Sequence, residues 1–123
     1  MTDIVEFLAA RIAEDQAVAE AASGRDPKWW DSGPGYPEAP EIRITNDRDD
    51  VIVAETGELA ARHIVRHDPA RVLAEVKAKR RVLELAIEMI EDEEFRAAGT
   101  TLMCNLATPY DQHPGYDPAW RVE

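Results

Sequence analysis

Residues 41–55 read EIRITNDRDDVIVAE, and their reading decides the fold class. Ile42 and Ile44 alternate with Arg43 and Thr45, the period-two pattern of a half-buried strand. Val51, Ile52 and Val53 form a β-branched run, and Asn and Asp residues separate the two runs. Strand-forming runs around such a connector predict one antiparallel hairpin over 41–55. The connector is acidic enough to be tested as a calcium loop, and it fails. Val51 stands where an alternate oxygen ligand is needed, and the obligatory glycine is missing. It is read as a turn.

Outward from the hairpin, helical periodicity takes over. Ile4, Phe7, Leu8, Ile12, Ala19 and Ala22 recur at helical spacing over 3–22. Thr2 or Asp3 can cap that helix, and Gly24 and Pro27 stop it. On the other side, 58–67 predicts a short helix. Asp68-Pro69 then serves as N-cap and first residue of a long helix over 69–92. Val72, Val76, Leu83, Ile87 and Ile90 form its apolar stripe, widened by Leu73 and Val82. Lys77, Lys79 and Arg81 fall on the solvated side, whereas Arg80 is expected to lay its stem along the buried edge. Gly99-Thr100-Thr101 reads as a break that caps a last helix at 101–107. The tail, 108–123, carries Tyr110, Tyr116 and Trp120. It is too aromatic for disorder and is expected to pack back on the helices. The prediction is a single α+β domain over 1–123: helix, hairpin, then a helical C-terminal half.

Residues 28–40, KWWDSGPGYPEAP, read as loop. Trp29 and Trp30 are expected to cover a core short of bulk. The alternative is an exposed aromatic patch that binds a partner.

Composition excludes several classes. The 123 residues are 45% hydrophobic, enough for one modest core, and contain no apolar run of membrane-spanning length. The N-terminus lacks the basic and small-residue features of a signal peptide. Cys104 is the only cysteine, so no intrachain disulfide forms, and a cytoplasmic location is expected. The net charge of −11 opposes direct binding to nucleic acid, which requires Lys and Arg against phosphates. The same charge permits two other roles, attraction to a basic partner or acidic mimicry of nucleic acid.

The stretch HIVRHDPARVL, residues 63–73, raises the question of a metal. His63 and His67 are four apart, so on a helix they share a face. With His113 they could supply three zinc ligands, as a metal-binding protein or a small metal-dependent hydrolase. The zinc-hydrolase helix places a Glu directly after its first His, and here Ile64 stands there. The competing reading is structural: histidines at a core edge bonded to carbonyls, with His67 complementing the helix C-terminus. Cys104, among apolar neighbours, reads as inert. No phosphate-binding glycine loop or nucleophile-elbow serine is present.

The blocks His63–Leu73 and Leu106–Tyr116, followed by Trp120, resemble a family of small uncharacterised proteins common in actinobacteria and their phages. FLAARIAEDQAVAEAA also fits that family's opening helix. The sequence departs from the pattern at Thr108, Gly115 and the doubled Trp29-Trp30. The resemblance implies a bacterial or phage cytoplasmic protein. Its motif residues here are His63, His67, Asp68, Pro69, Arg71, Arg80, Tyr110, His113, Tyr116 and Trp120, and it implies that the His63–Asp68 and His113–Tyr116 blocks belong to one shared feature, a structural lock or a site. The expected function is a non-enzymatic protein-binding or regulatory module without a cofactor unless zinc is bound, and a homodimer would bury its surplus apolar residues. Its expected binding surfaces are Trp29 and Trp30, and the acidic face Glu88, Glu91, Asp92, Glu93 and Glu94.

Overall fold

A computed structural model describes residues 2–24, 26–32, 42–46 and 50–123. Residues 33–40 of the expected 28–40 loop, the turn residues 47–49 and the side chains of Thr2 and Asp3 lie outside the described residues. The architecture is α+β, with an N-terminal helix and a helical C-terminal half. In order, the described elements are α1 (Thr2–Ser23), β1 (Trp29–Asp31), β2 (Ile42–Asn46), β3 (Val51–Thr56), α2 (Glu58–Arg66), α3 (Pro69–Glu91) and α4 (Arg96–Ala107). Two single-turn 3-10 helices follow, Thr108–Tyr110 and Pro118–Trp120. No helix among the described residues is long and apolar enough to cross a membrane. The chain divides into two compact units, residues 16–74 and residues 1–15 with 75–123.

The first unit holds the sheet. The hairpin forms as expected, with Ile44 opposite Val53 and Thr45 opposite Val51, and register irregularities beside Ile44. Ile42 and Ile44 are buried while Arg43 is exposed, so the alternation places one face of the sheet inward. Asn46 closes the connector. Its Oδ1 accepts from the Asp50 amide at 3.0 Å and its Nδ2 donates to Asp50 Oδ2 at 3.0 Å, which satisfies a side chain only 5% exposed. The sheet has a third strand that was expected to be loop. Trp29–Asp31 pairs antiparallel with β2, Trp30 opposite Thr45. Gly and Pro concentrate from Gly33 onward, so the loop signal belongs to the following residues and hid three residues of strand. Trp29, Val53, Ile64 and Val65 pack on a core of Ile42, Ile44 and Ala61.

The second unit is helical. Its buried apolar residues are Ile4, Leu8 and Ile12 on α1, Val76, Leu83 and Ala86 on α3, Met103 and Ala107 on α4, and Tyr116 in the tail. Two expectations about these helices change. The last helix starts at Arg96 and runs through Gly99 without a break. Gly99 is buried, and a Cβ there would lie 2.9 Å from the Ala86 carbonyl oxygen and 2.9 Å from Met89 Cβ. The glycine permits close approach of α4 to α3 rather than a turn. Arg80 is exposed, and Lys79 is the half-buried cation of α3. Lys79 lies three residues from both Val76 and Val82, which places it on the buried stripe more directly than Arg80.

Candidate functional site

The Asp68-Pro69 pair forms the expected cap of α3 and extends further than a cap. Asp68 Oδ1 accepts from the Arg71 amide at 2.9 Å, the N-cap bond proper. Its Oδ2 accepts from the Trp29 amide at 3.1 Å, and the Pro27 carbonyl accepts from the Ala70 amide at 2.9 Å. One buried carboxylate thereby fixes the start of β1 to the start of α3. The strand's period of two then turns Trp29 toward the Ile42–Ile44 core, while Trp30 is 48% exposed. Trp29 covers the core and Trp30 stands largely open to solvent.

The junction encloses an open cleft of about 460 Å³ lined by Lys28, Trp29, Trp30, Val65, Arg66, Asp68, Ala70 and Arg71. Lys28 Nζ lies 5.1 Å from the centroid of the Trp30 ring, a cation–π arrangement. Arg71 Nη1 reaches the Arg66 carbonyl at 3.4 Å. Three cations face one carboxylate, and that carboxylate is already bonded to two backbone amides. In a chain of net charge −11 this is a local reversal of sign. Lys28 and Arg66 escaped the sequence reading, although Lys28 directly precedes the tryptophan pair and Arg66 sits inside the His63–Leu73 block.

His67 is the C-cap of α2, and its amide bonds to the His63 and Ile64 carbonyls. Its Nδ1 lies 2.8 Å from the His63 carbonyl oxygen, so it carries the proton and donates. The two ring centroids lie 4.4 Å apart with the planes tilted by 37°. Both histidines and Leu59 are exposed, so their face is the solvent side of α2 and not the core edge that was expected. Ala61, Ile64 and Val65 point inward instead.

In the helical unit, the tail packs back as its aromatic content predicts. Phe7 of α1 meets Tyr110, His113, Tyr116 and Trp120, with ring centroids 5.1–6.3 Å apart. Around this cluster runs a polar chain absent from the sequence reading. Tyr110 donates to Asp15 Oδ2 at 2.6 Å and accepts from Lys79 Nζ at 3.3 Å. Arg11 meets His113 Nε2 and Glu14 at 3.1 Å, and the Gly115 amide donates to His113 Nδ1 at 2.9 Å. A neutral imidazole has one lone pair to offer, and the Gly115 amide and Arg11 compete for it. Among the described residues, no group of three or more His, Cys, Asp or Glu side chains is gathered as metal ligands would be. Burial, the hydrogen bond to Asp15 and that residue's charge together push the Tyr110 hydroxyl well above the ordinary tyrosine range, against a smaller opposing pull from Arg11. The hydroxyl therefore stays protonated at neutral pH as the donor to Asp15.

Glu88, Glu91, Asp92, Glu93 and Glu94 are all exposed. Acids suit a helix C-terminus poorly, and α3 ends at Glu91. Arg96 Nε then donates to the Ile90 carbonyl at 2.9 Å, bringing a cation to that terminus. Burial raises the Cys104 thiol pKa, which lowers its thiolate fraction and its reactivity.

With this geometry in place, the chain can be set against known families. It belongs to a family of unknown function, DUF6221, whose model matches residues 1–122. No curated protein and no solved structure matches it.

Proposed function

We propose that the chain is a non-enzymatic protein-binding or regulatory module and that the Trp29–Trp30 cleft is its contact surface. One observation carries the reading. Trp30 is 48% exposed on a cleft rimmed by cations, within an otherwise acidic chain. Exposed tryptophan and arginine at a concavity are the residue types that dominate binding energy at protein interfaces. The acidic end Glu88–Glu94 is a second exposed surface. A cytoplasmic accessory protein of actinobacteria or their phages fits the same reading.

A photo-crosslinking residue at position 30, in cells expressing the chain, is expected to give adducts with another polypeptide. The same residue at exposed Leu85 is the control. Equal labelling from both positions, or none from position 30, would remove the cleft as contact surface. Charge reversal at Glu91, Asp92, Glu93 and Glu94 should leave the position-30 adducts in place. Their loss would move the interface to the acidic end.

A further inference from the structure

The lining of the cleft specifies what kind of segment enters it. We infer that the cleft takes an acidic peptide segment of the partner protein, with an Asp or Glu carboxylate held between Lys28, Arg66 and Arg71 and an adjoining apolar group on Trp30. This inference rests on the cleft being the contact surface.

The charge argument comes first. Lys28, Arg66 and Arg71 line one wall system with a single carboxylate, Asp68. Asp68 is 5% exposed and already accepts from two backbone amides, so it contributes little to neutralising an incoming cation. Among the described residues, neither Lys28 nor Arg66 has a carboxylate within ion-pairing distance. An entering anion therefore meets the unmatched charge of Lys28 and Arg66, while a cationic segment would desolvate against it.

The backbone decides between anion types. Phosphate sites at helix N-termini use free amides aligned with the helix dipole. At α3 those amides are occupied: Ala70 donates to the Pro27 carbonyl and Arg71 to Asp68. Recognition is left to side chains alone, and Arg offers a planar fork that matches a carboxylate. A multiply charged phosphate backbone would also face the remaining charge of the chain, −11 overall. The exposed face of Trp30 adds apolar contact that an isolated inorganic anion would not use.

The test is selection from a random-peptide display library on the immobilised full chain. Trp30→Ala and the double variant K28E/R66E serve as separate counter-selections. Lys28, Arg66 and Trp30 are exposed, so both variants keep the fold, which circular dichroism verifies. The expected result is enrichment of sequences pairing Asp or Glu with an apolar residue. Their affinity should fall about ten-fold or more in K28E/R66E, in line with coupling between close charge pairs across interfaces. It should also fall steeply with added salt. Peptides that depend on Trp30 but carry no acid, or bind K28E/R66E undiminished, would overturn the inference and leave the contact surface standing. Absence of any Trp30-dependent enrichment would overturn both.

Discussion

Gly99→Ala should destabilise the protein, although the same change stabilises most helix interiors. Glycine inside a helix is less favourable than alanine by about 1 kcal/mol, and Gly99 sits in the middle of α4, so propensity alone predicts a gain. The packing predicts the opposite. A methyl at this position would lie 2.9 Å from the Ala86 carbonyl oxygen, 2.9 Å from Met89 Cβ and 3.0 Å from Ile90 Cγ2. Carbon contacts are favourable only from roughly 3.5 Å, so about half an ångström must open. Two of the three obstacles are fixed to the α3 backbone and cannot rotate away. The helices must part, and a gap of this size forfeits about a quarter of each dispersion contact across the seam. Overpacking of this kind costs roughly 1–3 kcal/mol. Set against the propensity gain, the expected net loss is about 1 kcal/mol, larger for Gly99→Val. Urea unfolding followed by circular dichroism measures it. Ala98→Gly at the exposed neighbouring position reports the local propensity by itself. If Gly99→Ala unfolds at the same or higher urea concentration than the parent, the close approach of α3 and α4 is not what retains the glycine.

Three further outcomes follow from the same contacts. Asp68→Ala should cost about 2–3 kcal/mol in urea unfolding, because it removes an N-cap and strands the Trp29 amide as well; Asp68→Asn should recover about half, and full stability of the alanine variant would refute the bridging role. Tyr110 holds its proton more tightly folded than unfolded, so its contribution is complete below the ordinary tyrosine value near 10 and falls by up to about 1.4 kcal/mol per pH unit above it; Tyr110→Phe should remove that decline, and a parallel alkaline loss in both proteins would reject it. Cys104 should react with iodoacetamide more slowly than a free cysteine thiol at pH 8, with the difference abolished in urea; equal rates in the native protein would mean that burial does not govern this thiol.

Patterns that repeat within one element were legible in the sequence. The alternation of Ile42 and Ile44 fixed a strand and its inward face, and Asp68-Pro69 fixed a helix start to the residue, because each signal is local chemistry. The errors share one cause. Gly99 looked like a break because glycine has two uses, a turn and a close approach, and only the neighbouring helix distinguishes them. Trp29–Asp31 looked like loop because its strand character comes from pairing with β2, a contact between distant residues. Arg80 fits the buried edge by its spacing from Leu73 and Val76, but Lys79 lies nearer the centre of the stripe and is the one half-buried.

The candidate site shows the same division between local and non-local information. Trp29, Trp30, Asp68 and Arg71 drew attention in the sequence by residue type or by capping logic. Nothing in one dimension joins them, because the join is a hydrogen bond between residues 39 apart, Asp68 to the Trp29 amide. That bond converts two unremarked cations, Lys28 and Arg66, into the rim of one cleft. The histidines, by contrast, were conspicuous by type and spacing. Their geometry assigns His67 to a helix end and His113 to the tail cluster on Phe7. The capping carboxylate of Asp68 joins what residue type alone leaves apart. It holds a place in both the fold and the surface, so a change at Asp68 should alter stability and Trp30-dependent binding together, whereas Lys28→Glu should alter binding alone.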